Sequence, residues 1–406
     1  MRKQSRAIGA FIGAAVLALT TLTLGAGAAS AANTSPIVVG GVWSAATYAG
    51  ADVGAQAAFN AFNAAGGLNG RKIKFIGMQD DGQNETQDIT AAKELVNAGV
   101  TAVVPVVTEA WVGGSVLAKA GIPYFGWGIS TGWWGSNNGF SFVGAVPPSP
   151  KDYTSVGSVA SVFCKAVGGN CKGKTVALVA INNASALESL QLFAAEWKQL
   201  GAKVVKEVTS IPEPPAVVSD YTPYVQQLMT ADNGKPPNIV QQVLPPTADI
   251  GIISKLNQLG FKGTDFNFSL YDPRAVSVAK GSDTLVSFAP WEQDSPAVAQ
   301  MTKDVNAASS TAVHGQPTEA GYWSAMEFIA AIKQVNTKGL PITSANITKA
   351  LNEGWTFSVP GGTGPASFPA AHMGPGGCDA IVGSNGSKYS VVEPLYCPPL
   401  GKNPLG

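Results

Sequence analysis

The chain has 406 residues, enough for two domains of ordinary size. Lys and Arg together number 26, as do Asp and Glu, so the formal net charge is zero. This balance argues against a nucleic-acid binder, which needs a basic surface. Apolar residues make up 45% of the chain, which excludes a disordered protein. With two His and four Cys, the sequence offers little material for a catalytic or metal-rich site.

The first 31 residues have the three-part pattern of a secretory signal peptide. Residues 1–6 contain three basic side chains and no acid, residues 7–24 are apolar or small, and residues 29–31 are Ala-Ser-Ala. An uncleaved membrane anchor is the alternative, because the apolar run is slightly long. Cleavage after about Ala31 predicts a secreted or periplasmic protein that is mildly acidic. No Cys lies near this site, so no lipid anchor is evident.

The four cysteines predict disulfides, because an exported chain meets oxidising conditions. Four Cys permit three pairings. Cys164 and Cys171 enclose a short loop, and Cys378 and Cys397 flank a predicted hairpin. This arrangement favours the pairs Cys164–Cys171 and Cys378–Cys397. The spacings do not match a zinc ribbon, and no metal site is predicted.

After residue 36, apolar runs of strand length alternate with segments of helical periodicity. Strands are predicted over 37–41, 72–78, 102–107, 122–125, 175–181, 204–208, 239–243 and 266–270, and helices over 52–65, 86–98, 113–120, 153–166, 187–200, 221–229 and 248–259. Such alternation predicts an α/β fold with parallel sheets and helices on both faces. A proline cluster at 147–150 predicts a domain boundary. Ligands of such folds bind beyond the carboxyl ends of the strands.

Six segments carry a family pattern in the same order along the chain. They are FNAFNAAGGLNGRKIKFIGMQDDGQN, AAKELVNAGVTAVVPVVT, AGIPYFGW, LGFKG, GYWSAMEFIAAIKQV and GTGPASFPAAHMGPGG. With them the sequence resembles the type I periplasmic binding proteins, in the branch of the leucine/isoleucine/valine-binding protein. The matches run from about residue 36 to 395.

The resemblance implies two Rossmann-like lobes with parallel sheets, joined by a three-strand hinge. Lobe one is expected over 36–148 plus 275–360, and lobe two over 149–274 plus 361–406. A small molecule would bind in the cleft between the lobes and favour their closure. The expected ligand is an amino acid, an amide or a weakly polar organic acid.

The resemblance also implies the partners of the protein. It would deliver its ligand to an ABC importer, whose permease lies in the membrane, and would act as a monomer without a cofactor. An extracellular sensor that presents a ligand to a receptor is the alternative, because its binding lobes would be the same. A secreted enzyme is less favoured, since no G-x-S-x-G, Walker or H-E-x-x-H motif is present. The two histidines, His314 and His372, are expected at the surface.

The loop after the first strand is implied to hold ligand-binding residues. In the family this loop carries a Ser and then an aromatic residue that packs on the ligand, and Ser44 and Tyr48 match them here. The gap between the two is shorter than in the family. Trp43 precedes Ser44 and belongs to the predicted site. The alternative for both aromatic residues is packing within lobe one.

Two further strand ends are implied to complete the site in lobe one. Thr108 matches a family hydroxyl that binds a ligand carboxylate, and the helix that follows favours an anion. Glu109 departs from the family, because its charge would repel a carboxylate. An exposed acid at a helix start is the alternative. Ser130 or Thr131 matches the family Thr that binds the amino-acid head group.

Tryptophans are concentrated near these loops. Of nine in the chain, four lie here: Trp111, Trp127, Trp133 and Trp134. They predict an apolar or aromatic ligand site, with two of the four in the cleft and Trp127 among the site residues. Packing on the lobe surface is the alternative.

The match is weaker in lobe two. Ser185 falls near a family Tyr that follows a strand. Tyr271 and Asp272 follow another strand, near the place where amino-acid binders hold the ligand ammonium with an acid. Asp272 would serve that role, or would be a surface acid beside the hinge. If Asp272 faces the cleft together with Ser130 or Thr131, a zwitterionic amino acid fits. If not, the tryptophans favour a less polar ligand.

Overall fold

The computed structural model describes residues 35–153, 155–213 and 216–405, apart from the side chains of 155, 156 and 185. The predicted signal peptide therefore lies outside the described residues. Within the described part, no helix combines the length and the apolar character needed to cross a membrane.

The described residues form sixteen strands and ten α-helices. The strands are β1 (Ile37–Trp43), β2 (Ile73–Asp80), β3 (Ala102–Val107), β4 (Tyr124–Gly126), β5 (Gly139–Ser141), β6 (Ser155–Val156), β7 (Thr175–Ile181), β8 (Lys203–Ile211), β9 (Ile239–Val243), β10 (Thr264–Asn267), β11 (Ser282–Val286), β12 (Trp355–Val359), β13 (Thr363–Phe368), β14 (Asp379–Ser384), β15 (Tyr389–Tyr396) and β16 (Gly401–Lys402). The helices are α1 (Ala51–Ala64), α2 (Glu85–Asn97), α3 (Gly114–Lys119), α4 (Val159–Ala166), α5 (Ala184–Gln199), α6 (Thr222–Met229), α7 (Pro246–Gln258), α8 (Pro296–Ala308), α9 (Gln316–Thr337) and α10 (Ser344–Asn352).

Two large sheets divide the molecule into two lobes. The sheet of lobe one has the order β2-β1-β3-β4-β5 and is parallel throughout. Helices α1 and α9 cover one of its faces, and α2 and α3 cover the other. This arrangement buries both faces of the central strands, and β1 and β3 are accordingly apolar.

The sheet of lobe two has the order β15-β14-β11-β10-β9-β7-β8. Strands β7 to β11 pair in parallel. At one edge, β14 pairs antiparallel with β11, and β15 pairs antiparallel with β14. Strand β11 belongs to this sheet, although its residues fall within the range predicted for lobe one. The exact lobe boundaries and the three-strand hinge stay predictions.

Most predicted elements are found, and the fold class is confirmed. The strands over 102–107, 175–181 and 239–243 have the predicted bounds. The helix predicted over 153–166 was wrong at its start, because it begins at Val159, where the Ser158 hydroxyl accepts the Ser161 N–H. The strand predicted over 266–270 ends earlier, at Asn267. Its side-chain oxygen accepts the N–H groups of Ser269 and Leu270 and turns the chain.

The core of lobe one depends on a close approach of α1 and α9. A Cβ atom on Gly54 would lie 1.9 Å from the carbonyl oxygen of Thr318. A Cβ atom on Gly321 would lie 1.9 Å from the carbonyl oxygen of Ala51. Since real Cβ atoms do not come this close, only glycine lets the two backbones meet here.

Both predicted disulfides are present, Cys164–Cys171 and Cys378–Cys397. The first joins Cys164, in α4, to Cys171, in the loop that follows the helix. The second joins the residue before β14 to the residue after β15, so it fixes the two ends of the predicted hairpin. Both lie beside the sheet of lobe two.

Candidate ligand-binding site

Four neighbouring strands of lobe one end beside one another. Asp81 follows β2, Ser44 follows β1, Thr108 follows β3 and Trp127 follows β4. The sheet order makes these four strands consecutive. Because all run parallel, their carboxyl ends meet at one edge, which is where ligands of α/β proteins bind.

Three of these side chains form a buried chain of hydrogen bonds. The Ser44 hydroxyl donates to Oδ1 of Asp81 over 2.7 Å and lies 2.9 Å from the Thr108 hydroxyl. Since Ser44 has only one proton and directs it to Asp81, Thr108 donates to Ser44. All three side chains are at most 1% exposed. Oδ2 of Asp81 has no hydrogen-bond partner among the described residues.

Tyr48 links this edge to Glu109. Its hydroxyl donates to Oε1 of Glu109 over 2.6 Å, and its ring meets that of Trp127 edge-on, with centroids 5.8 Å apart. Burial, and then the negative charge of Glu109, raise the pKa of Tyr48 well above its usual value. Tyr48 and Trp127 are buried, while Glu109 is exposed to solvent. The Tyr48 and Trp127 rings and the exposed Glu109 carboxylate therefore lie at the same edge as Ser44 and Thr108.

The loop after β4 separates the two residues predicted as alternatives. Ser130 is buried, and its hydroxyl has no partner among the described residues. Thr131 is exposed and opens a short 3-10 helix over Thr131–Trp133. The indole N–H of Trp127 is likewise buried without a described partner. Ser130 and Trp127 thus keep hydrogen-bonding capacity that nothing in the described protein uses.

Trp43 lies at the end of β1 but faces a different surface. It lines a groove of about 470 Å³ together with residues of α1, β2 and the end of α8. Ser44, Tyr48 and Thr108 do not line that groove. A contact between Trp43 and the ligand is therefore still only a prediction.

Two of the three residues predicted in lobe two already have partners within the protein. The Tyr271 hydroxyl donates to Glu292 over 2.5 Å and accepts the Trp291 N–H. The Asp272 carboxylate pairs with the Arg274 guanidinium, also at 2.5 Å, so its charge is already compensated. Ser185 is the second residue of α5, and its side chain lies outside what the structure describes. Ligand contacts of these three residues stay predictions.

Lobe two offers another acid near the strand ends. Asp249 is buried in the first turn of α7, the helix that follows β9. One of its carboxylate oxygens accepts the Ser269 hydroxyl, and the other has no partner among the described residues. Burial raises the pKa of Asp249 well above its usual value, and the negative charges of Asp265 and Glu109 add to this effect.

Asp81 and Asp249 were missed as site residues by sequence reasoning. A signal for Asp81 was present, since the Asp-Asp pair that closes β2 marks a strand end. Asp249 had a weaker signal, an acid in the first turn of a helix that follows a strand. Within the described residues, no group of His, Cys, Asp and Glu is placed to hold a metal ion.

Three of the four loop tryptophans belong to buried core clusters, Trp127 to one and Trp111 with Trp133 to another. Trp111 and Trp133 are each 1% exposed and pack around the Tyr124 ring, with centroids 5.1 and 4.8 Å away. Trp134 is half-buried against Tyr153. Of the four, Trp127 alone contacts Tyr48.

The expectation of a surface position was wrong for His372. Its ring is buried, with Nδ1 2.9 Å from the Gly139 carbonyl oxygen and Nε2 2.7 Å from Oδ1 of Asn352. Burial lowers the pKa of His372 to about 4. His314 is half-buried and stacks on Trp291, with centroids 4.1 Å apart. Neither imidazole lies at the strand-end site.

Two α/β lobes with unused polar groups at the strand ends define a class of two-lobed binding proteins. A family model described as periplasmic binding protein matches residues 40–386. The chain belongs to this family, and is thus a solute-binding protein of a kind that works outside the cytoplasm. A comparison with curated proteins finds no significant match.

Solved structures share this fold at low sequence identity. A fatty acid ABC transporter substrate-binding protein from Thermomonospora curvata has a TM-score of 0.70 and 17% identity, covering 90% of this chain and 93% of that one. The branched-chain amino acid transporter substrate binding protein LivJ from Streptococcus pneumoniae, in complex with isoleucine, has a TM-score of 0.66 and 18% identity, covering 88% and 100%. A solute binding protein from R. palustris in complex with benzoate has a TM-score of 0.65 and 16% identity, covering 90% and 98%.

Proposed function

We propose that the protein captures a small organic molecule between its lobes and delivers it to an ABC importer in the membrane. The observation that carries this proposal is the strand-end edge of lobe one. There Ser44, Thr108 and Asp81 form one buried network beside the Tyr48 and Trp127 rings. Buried polar groups without partners, such as the Trp127 N–H, are costly unless a ligand or water satisfies them.

The similar structures support the transport role and the size of the ligand. Their names describe ABC transporter substrate-binding proteins, and the ligands in two of them are isoleucine and benzoate. An amino acid, an amide or a weakly polar organic acid is of the same size. Binding would occur by lobe closure around a hinge, without a catalytic step and without a cofactor. The protein would act as a monomer, secreted or periplasmic after removal of its signal peptide.

A ligand-sensing protein is the alternative role. It would bind in the same way and present the closed lobes to a receptor. Genes for a permease and an ATPase beside this gene support transport. A gene for a signalling protein in that place supports sensing.

The proposal is tested by ligand capture. The purified protein is unfolded, stripped, refolded and screened by thermal shift against amino acids, amides and aromatic acids, and any co-purified ligand is identified by mass spectrometry. A ligand at a hundredfold excess over its Kd stabilises the folded state by about 2.7 kcal/mol. Small-angle scattering should show a smaller radius of gyration with the ligand bound.

A matched pair of tryptophan variants locates the site. Trp127→Phe removes the unpaired indole N–H at the strand ends and should weaken binding. Trp355→Phe alters a half-buried indole on β12 and should leave affinity unchanged. Hydrolysis of a substrate without any saturable binding would contradict the proposed function.

A further inference from the structure

We propose that the lobe-one end of this site selects an organic cation, such as a protonated amine, and disfavours a carboxylate. This preference rests on the proposed function, since it narrows the ligand of the same site. It reverses the expectation that Thr108 and the helix after it receive a ligand carboxylate.

The hydroxyl protons at the strand ends are already committed to acceptors within the protein. Ser44 donates to Asp81, Thr108 donates to Ser44, and Tyr48 donates to Glu109. A ligand carboxylate needs donors, and these three hydroxyls have none left to give. The three hydroxyl groups and Asp81 can still accept hydrogen bonds, and one Asp81 oxygen has no partner among the described residues. Lone pairs suit an ammonium or amide N–H.

The backbone donors of the next loop are committed as well. Oδ2 of Asp88 accepts the N–H groups of Val112 and Gly113 over 2.7 and 2.6 Å. The Ala110 N–H donates to the Thr108 hydroxyl oxygen. Asp88 therefore occupies the place at the start of α3 where a ligand anion would otherwise be held. The N–H groups of Ala110, Val112 and Gly113 are therefore not free to bind an anionic ligand.

The charges around the site act in the same direction. Asp81 and Glu109 flank it in lobe one. Neither takes part in an ion pair among the described residues. The Tyr48 and Trp127 rings lie beside Glu109, and aromatic faces attract organic cations. A cation would therefore gain from both the carboxylates and the rings.

Two buried donors remain for a neutral part of the ligand. The Trp127 N–H and the Ser130 hydroxyl are each more than nine-tenths buried and have no described partner. Either can donate to an ether, hydroxyl or carbonyl oxygen. The pattern therefore fits a small amine that carries a ring or an uncharged polar group.

Three probes with the same phenylethyl skeleton test this preference. Phenethylamine is a cation, hydrocinnamamide is neutral and hydrocinnamate is an anion, so they differ mainly in charge. Their Kd values are measured by calorimetry on the stripped and refolded protein. Phenethylamine should bind at least about tenfold more tightly than hydrocinnamate, with the amide in between.

A charge-removing variant separates a local effect from a general one. Glu109→Gln should weaken phenethylamine binding about tenfold and improve hydrocinnamate binding. Glu94→Gln removes the same charge from an exposed position on α2 and should change neither Kd by more than about twofold.

Hydrocinnamate binding as tight as phenethylamine binding, or binding of neither, would overturn the preference for a cation. So would a Glu109→Gln variant with an unchanged ratio of the two Kd values. In those cases the proposed function survives if another compound of the wider screen binds and closes the lobes. It fails only if no compound binds at all.

Discussion

Each lobe has a buried network of polar side chains, but in a different place. In lobe two the network lies inside the sheet, where Gln242 donates to both oxygens of Asp265 over 2.7 and 2.8 Å. Ser282 also donates to Asp265, and Asn267 bonds to Ser282 and accepts from Thr284. We call these five residues the lobe-two ladder, because they cross β9, β10 and β11. In lobe one the network of Ser44, Asp81 and Thr108 lies at the strand ends.

The difference separates a structural network from a binding one. Ladder residues mainly satisfy each other within the sheet, so they fix the register of strands that would otherwise be uniformly apolar. The strand-end residues of lobe one keep unused capacity, at Asp81, Trp127 and Ser130. Substitutions in the ladder should therefore change stability, and substitutions at the strand ends should change ligand binding.

The largest effect is expected from Asp265→Ala in the ladder. The change leaves the Gln242 amide and the Ser282 hydroxyl without their acceptor, at a cost of about 3 to 4 kcal/mol in the free energy of unfolding. Urea unfolding measures it. Asp294→Ala, at an exposed position, should stay within about 0.5 kcal/mol of the wild type. Equal losses in the two variants would contradict the role of the ladder.

Loss of the Cys378–Cys397 disulfide should cost slightly less. Its 19-residue separation predicts about 3 kcal/mol from the entropy of the unfolded chain, and the 7-residue separation of Cys164–Cys171 predicts about 2.5 kcal/mol. Paired Cys→Ser variants, followed by hydrogen exchange, should show faster opening in lobe two than in lobe one. Equal acceleration in both lobes would show that the lobes do not open separately.

A similar effect is expected from pH, again in lobe two. Burial raises the pKa of Glu196, Asp265 and Asp379 to about 7. The folded state then holds protons that the unfolded state releases, so these groups favour folding at low pH. Their contribution is lost as pH rises from about 4 to about 7.

Glu196→Gln isolates one of these groups. Relative to the wild type, the variant should gain about 3 kcal/mol at pH 8 compared with pH 4. Unfolding free energies at the two pH values give the measurement. A gain that is independent of pH would show that Glu196 stays charged in the folded protein.

The smallest effect on stability is expected at Asp81. Asp81→Asn keeps an oxygen for the Ser44 hydroxyl and the Gln83 N–H, so the free energy of unfolding should change by less than about 1 kcal/mol. The ratio of phenethylamine to hydrocinnamate affinity should nevertheless fall, because a carboxylate becomes an amide with donors. A large loss of stability with an unchanged ratio would place Asp81 with the ladder instead.

Sequence periodicity was sufficient for the α/β class and for most elements. Apolar runs such as 102–107 and 175–181 are buried on both faces, and this burial makes strands of parallel sheets easy to detect. The start of α4 was harder, because the apolar residues before it continue the pattern although Ser158 caps the helix. The family pattern was needed for the crossing of the chain between lobes, which has no local signal.

The site could be predicted only to the level of loops. Strand ends identified Ser44, Tyr48, Thr108 and Trp127, which the fold does bring together. Sequence could not show that Asp81 would accept the hydrogen bond of Ser44 and that Glu109 would accept that of Tyr48. It also could not separate Trp127 from Trp111, because both are buried and only their neighbours differ, Tyr48 for Trp127 and Tyr124 for Trp111.

The glycine contact between α1 and α9 has a mechanical consequence. At Gly54 and Gly321 the two helices meet through backbone atoms, which have no rotamers to exchange. The two helices cannot slide past each other by repacking side chains at this contact, so a displacement of one helix should displace the other. Lobe one should therefore move as a single piece when the cleft closes, and the strand-end carboxylates should keep their mutual spacing throughout the motion.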